Sequence, residues 1–242
     1  MIRIIYLFKV AAIAVATLLT CVACSNKLDE DLAQNLCNTY SAEELSYFAE
    51  IAFGAERGKG ANDKNLRWYK DVKIRVFGGY HSKSDSVTLM EVIDTLNSII
   101  DPIEVTITDG TDYNIILDFM SIYDLDSITV NHKTPYKLQG AQFHFEWHMG
   151  QIDRARIIIL NETHPELRTR YIWEEVVQVM GLMQDRPTYP KSIFHDCSNA
   201  DCKDVKKPLP IDLKLLDILY NSGIPTFMTR DEFLEKINKC KD

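Results

Sequence analysis

Positive charge is in short supply. The 242-residue chain carries 27 lysines and arginines against 35 acids, a formal charge of −8. A nucleic-acid surface is built from clustered cations, so that class of partner is excluded. The ten glycines form no phosphate-cradling loop. There is no internal repeat and no low-complexity tract, and no Ser-His-Asp or Cys-His set declares itself by motif. Long apolar runs are missing too. The longest, Val10 to Leu19, has ten residues and is apolar but for Thr17. That is half of the about 20 residues a spanning helix takes.

The short run has another meaning. Arg3 and Lys9 precede it without an acid, and Thr20-Cys21-Val22-Ala23-Cys24 follows. A charged start, a short apolar core and small residues at the end define a secretory leader. Its end resembles a bacterial lipobox, with Cys24 after Ala23 as the lipidated residue. The resemblance implies a signal peptide over 1–23, a membrane anchor at Cys24 and a place in the cell envelope. Ser25 is not an acid, which implies the outer membrane of a Gram-negative cell. Without the leader, 25 basic and 35 acidic side chains remain, a charge of −10. Electrostatic attachment to anionic lipid is therefore not expected.

Beyond the anchor lie Cys37, Cys197, Cys202 and Cys240. An exported compartment is oxidising and favours disulfides. Four cysteines allow three pairings. Cys197 and Cys202 flank a short polar stretch that suits a closed loop, and Cys37 with Cys240 would tie the domain's ends. A zinc knuckle beside His195 is the sharper alternative, but it lacks a second ligand pair.

Residues 24–40 are polar and acidic, the composition of a tether, and 41–242 read as a single domain. Ser41-Ala-Glu-Glu44 is a capping box ahead of Leu45, Phe48, Ala49 and Ala52 at helical spacing. Arg57 to Asn65 is a loop. Val72, Ile74 and Val76 alternate with polar residues as in a half-buried strand. Ser84, Asp85 or Ser86 can cap a helix carrying Leu89, Val92, Ile93 and Leu96 on one face. Further strands are expected at Ile103–Ile107, at Tyr113–Met120 with both faces buried at Ile115–Leu117, at Phe143–Trp147 and at Ala155–Leu160. Helices follow at Ile211–Tyr220 and after Thr229-Arg-Asp-Glu232. Strand, helix, four strands and a long apolar helix define a mixed α/β fold with helices packed on a sheet.

That long helix holds the main question. From Ile172 to Met183 every residue is apolar or glycine except Glu174, Glu175 and Gln178. At helical spacing the three share an arc of roughly 100°. Burying a carboxylate unpaired costs several kcal/mol, and a carboxamide about 1–3. The stripe must therefore meet partners, such as Arg168 or Arg170, or face a cleft or a cation. His144, Glu146 and His148 form a second polar row. On a strand they share one face, either a metal site or the solvated side of an edge strand, with Phe143, Phe145 and Trp147 opposite.

The stripe resembles the His-Glu-x-x-His-x-x-Gly-x-x-His helix of the metzincin metalloproteases, whose histidines hold zinc and whose glutamate activates water. The pattern falls on Glu174, Glu175, Gln178, Gly181 and Gln184. Glutamate and glycine match at Glu175 and Gly181, and all three histidine positions differ. Gly150-Gln-Ile-Asp-Arg-Ala-Arg-Ile157 resembles the Gly-x-Ile-x-x-Ala-x-Ile strand of matrixin-type members. Ser192-Ile193-Phe194 stands where they carry the Met-turn, and Asp212 to Leu219-Tyr220 resembles their closing helix. The resemblance implies a zincin-like mixed sheet with one antiparallel edge strand, packed on two long helices, with a helical C-terminal part and a core at about 66–224. The chain is also similar to a family of bacterial lipoproteins known as domain of unknown function twenty-nine twenty-seven. The shared features are Glu-Glu-x-x-Gln-x-x-Gly-Leu, an acid soon after at Asp185, and a following Ser-Ile-Phe.

Zinc prefers imidazole, thiolate or carboxylate, and Gln178 and Gln184 offer only amide oxygens. An oxygen set of Glu174, Gln178, Gln184 and Asp185 would suit calcium better. The reading is a non-catalytic envelope lipoprotein that holds no metal or cofactor and meets an envelope protein or peptide. Two alternatives stand beside it: a hydrolase using Glu175 with unconventional ligands, and a peptide- or carbohydrate-binding module.

Overall fold

Parallel pairing organises the apolar strands. The computed structural model describes residues 30–53, 63–78, 82–124, 140–197, 202 and 204–238. The leader, Cys24, Cys240 and most of the expected Arg57–Asn65 loop lie outside them. The strands are β1 (Val72–Phe77), β2 (Val105–Ile107), β3 (Ile115–Met120), β4 (Ala141–His148) and β5 (Gln151–Leu160). They form one sheet in the order β2-β1-β3-β5-β4, parallel except for the antiparallel edge strand β4.

Side chains alternate across the sheet. Val72, Ile74, Ile115, Leu117, Phe119, Ile157 and Ile159 enter the main core. Met120, Ile158 and Leu160 form a small separate cluster on the other, outer face. Helices α3 (Lys83–Ile99) and α4 (Pro165–Gln178) pack on each other and against the sheet. Helices α1 (residues 30–39) and α2 (Ala42–Ile51) precede the sheet, and α5 (Pro210–Asn221) and α6 (Arg230–Asn238) close the chain. The fold is thus the expected mixed α/β sheet with one antiparallel edge and two long helices.

Local signals explain several boundaries. Ser41 and Glu44 make the reciprocal bonds of the capping box at α2. Pro165 opens α4, where its missing N–H costs nothing. Gly181 turns the chain after α4 at φ +119, and a Cβ there would lie 2.2 Å from the Leu66 carbonyl oxygen.

Four details differ from the sequence reading. Residues 30–39 of the expected tether are helical, and Leu36 is fully buried with Asn35 donating to the Ser222 carbonyl. A helical apolar side that finds the core does not stay a tether. The cap of α3 is Ser82, paired with Asp85 at the third helical position. Ile116 is only half-buried because the outer face of β3 is open there. Finally, α4 ends at Gln178, so the last apolar residues of its run lie in the following turn.

A buried polar brace on helix α4

Trp173, Val176 and Val177 surround the stripe with buried apolar surface. Glu174, Glu175 and Gln178 are buried as well. Arg170, one turn earlier, forms an ion pair with Glu174: Nη2 donates a hydrogen bond to Oε1 at 3.1 Å, and Nη1 makes a charge contact with Oε2 at 3.1 Å that is not a hydrogen bond. The same Nη2 donates to the carbonyls of Ile193 at 3.3 Å and His195 at 3.1 Å. One guanidinium therefore ties the helix to the 193–195 turn. Paired geometry of this kind makes a buried charge tolerable.

Gln178 donates its amide to Asp185 Oδ1 at 2.7 Å, across the turn that Gly181 permits. Gln184 is buried, and its backbone N–H donates to the Ile51 carbonyl. Glu174 thus faces a cation within its own helix, and Gln178 faces an acid. Among the described residues, no three His, Cys, Asp or Glu side chains converge as metal ligands.

A second knot holds the Ser192-Ile193-Phe194 turn. Tyr47 and Ser192 share a hydroxyl bond of 2.8 Å, and Ser192 Oγ donates to Asp212 Oδ1 at 2.7 Å. The N–H groups of Ile193 and Leu209 donate to Asp212 Oδ2 at 3.2 and 2.8 Å. Burial holds the Asp212 carboxyl above its ordinary range although these bonds pull it down. Burial likewise raises the Tyr47 hydroxyl. Sequence reasoning saw Asp212 only as part of a closing helix. A helix begun by Pro210 with an acid at its third position was the available signal. Arg168 does not serve the stripe. It donates from Nε to both Asp85 oxygens at 3.1 and 3.0 Å, joining α4 to α3.

Cys197 and Cys202 form a disulfide, which replaces the zinc-knuckle alternative. Cys37 is a half-cystine as well, and its expected partner Cys240 is outside the described residues.

The polar row of β4 lies on the edge strand, exposed at His144, Glu146 and His148. Phe143 and Phe145 pack towards the core, while Trp147 is exposed. A bulge between Glu146 and Trp147 shifts His148 opposite Gln151. On the outer face His144, Glu146, Arg154, Arg156, Tyr113 and Ile116 help line a groove of about 420 Å³. Glu146 pairs in register with Arg154, but no ion pair joins them.

These features define a class: a mixed α/β domain in which two residues of the principal helix's polar stripe, Glu174 and Gln178, are tied to Arg170 and Asp185, with Glu175 buried beside them. The chain belongs to the family described as protein of unknown function (DUF2927), whose model matches residues 41–239. Two solved structures of myroilysin are similar to it, each at 8% sequence identity. One has a TM-score of 0.44 and covers 72% of this chain and 93% of that chain. The other has a TM-score of 0.41 and covers 72% and 99%. No curated protein matches the sequence.

Proposed function

We propose that this chain is an exported envelope lipoprotein, anchored through Cys24, whose protease-like domain binds rather than hydrolyses. The observation that carries the reading is the pairing of Glu174 with Arg170 in the interior. A carboxylate in a buried ion pair, on a helix whose neighbouring Gln178 is committed to Asp185, braces the fold. Water activation on this helix needs a metal held by donors that zinc accepts, and the three aligned positions carry Glu174, Gln178 and Gln184. The outer groove, with Arg154 and His144 exposed, supports a binding role at a different face.

Elemental analysis of the purified chain, with a peptide-cleavage assay in added zinc, tests this. The expected result is no stoichiometric zinc, no metal-dependent cleavage and an unchanged melting temperature at low micromolar zinc, because a ligand stabilises only by binding the native state. One tightly bound zinc per chain, with cleavage abolished by Glu175→Gln, overturns it in favour of the peptidase. For the anchor, Cys24→Ser should abolish incorporation of labelled palmitate, and unchanged labelling refutes Cys24 as the modified residue.

A further inference from the structure

Among the described residues two non-glycine residues have positive φ: Met149 at +48° and Phe227 at +68°. Such backbone favours Gly, Asn or Asp, and a bulky apolar residue there is strained. Both side chains nonetheless face solvent, Met149 at 72% and Phe227 at 39% exposure, and they sit beside Trp147 at 37% and Tyr69 at 49%. The Trp147 and Phe227 rings are 5.8 Å apart, and the Tyr69 hydroxyl meets Thr226 at 3.1 Å. Gly150 packs against Thr226 and Phe227, so the β4–β5 turn and the 225–228 turn form one surface.

The strain is held from beneath. Buried Asn65 donates its amide to the Pro225 carbonyl at 3.0 Å and accepts from the Met228 N–H at 2.9 Å. Its backbone exchanges further bonds with Phe227 and Met228. Exposed apolar tips on an over-determined frame are presented, not left over.

The cations beside them point to the occupant. Lys64 Nζ lies 3.6 Å from the Phe227 ring centroid, and the Arg67 guanidinium 5.0 Å from that of Tyr69. Neither forms a salt bridge with a described carboxylate, although the chain as a whole is acidic. Exposed rings and a Met, flanked by two part-exposed cations without a carboxylate partner, complement the headgroup layer of a phospholipid bilayer; Arg67 is held beside Tyr69 by donating Nη1 to the Leu219 carbonyl at 2.6 Å and Nη2 to the Tyr69 hydroxyl at 3.4 Å. Rings enter at the acyl boundary while Lys and Arg reach phosphate. Four such side chains expose roughly 400 Å² at most, below the about 800 Å² per partner of a standard protein interface. Met149 and Phe227 project from turns, and Trp147 from the adjoining end of β4. We infer that Tyr69, Trp147, Met149 and Phe227 dock the domain onto a phospholipid surface, with Lys64 and Arg67 at the phosphates.

Trp147 supplies its own readout, because Trp68 and Trp173 are buried. The full chain is mixed with phosphatidylcholine vesicles whose acyl chains are brominated, and indole emission and acrylamide quenching are recorded. Docking predicts loss of the Trp147 emission to the bromines and its protection from acrylamide. Met149→Asp should abolish both effects and leave the melting temperature unchanged, since Asp accepts this backbone better than Met does. Phe227→Asn gives the same test at the second tip. Trp147 as open to acrylamide with vesicles as without, and unquenched by bromine, overturns the proposal and leaves a protein partner as the occupant. Retention of Met149→Asp on vesicles reports the lipid anchor separately, so either claim can fail alone.

Discussion

The stripe on α4 and the row on β4 look alike as sequence. Each sets three polar side chains at the period of its element among apolar neighbours. In the fold they are opposites. Glu174, Glu175 and Gln178 are buried, whereas His144, Glu146 and His148 meet solvent. Periodicity states which side chains share a face, and it is silent on what covers that face. The cover of α4 comes from elsewhere in the chain: the 193–195 turn, which Arg170 grips, and Asp185 beyond Gly181. The β4 row lies at the sheet's edge on the uncovered side of its strand.

The largest effect should therefore come from breaking the buried pair. Glu174→Ala leaves Arg170 charged in the interior and should cost about 3–5 kcal/mol of unfolding free energy. Arg170→Met with Glu174→Leu removes both charges and should cost less than Glu174→Ala alone. The remainder reflects the Ile193 and His195 carbonyls that lose a donor. Denaturant unfolding of the single and the double decides it. A double at least as damaging as the single would show that the pair is not the unit.

Next comes the turn that closes the brace. Gly181→Ala places a Cβ against the Leu66 carbonyl at a φ no alanine favours, and should cost about 2–4 kcal/mol. Gly223→Ala is the control. That glycine has φ +83 but nothing within 4 Å of an added Cβ, so about 1 kcal/mol of backbone strain is expected. Equal losses in thermal melts would mean that the Leu66 contact contributes nothing.

How much of this contrast was legible depends on where each partner lies in the chain. Ser41 with Glu44, and Thr229 with Glu232, make local contacts that were read directly. Arg170, one of the two candidate arginines, stands four residues before Glu174, a spacing that puts both on one helix face. Arg168 was nominated with it, yet it bonds Asp85, 83 residues away, and no local rule reaches that far. Asp212 with Ser192 and Tyr47 is the same kind of long-range fact. Residues 30–39 have the polar composition of a tether. The burial of Ala33 and Leu36 depends on packing against distant parts of the chain, as where Asn35 meets Ser222.

A smaller effect separates the two regions by pH. Burial raises the Asp212 carboxyl above its ordinary 3.8. The folded chain then keeps this proton after the unfolded chain has lost it. Stability from this group falls as pH rises from 3.8 through the raised folded value, and is constant above it. The slope is at most about 1.4 kcal/mol per pH unit. Asp212→Asn should remove that slope. A slope unchanged in the variant would assign it to another group.

The smallest effect is expected on the open side, and it tests the comparison most directly. Glu146 and Arg154 face each other across β4 and β5, oppositely charged and in register, yet no ion pair forms between them. Water already solvates both, so deleting either strands nothing. Glu146→Ala and Arg154→Ala should each change stability by no more than about 0.5 kcal/mol. The double should equal the sum of the singles within about 0.3–0.5 kcal/mol, because groups without a direct interaction do not couple. A coupling above about 1 kcal/mol would mean that the two close on each other in solution and behave like Arg170 and Glu174. The edge row would then be a second brace, and the groove would lose the two charges that make it a candidate for binding.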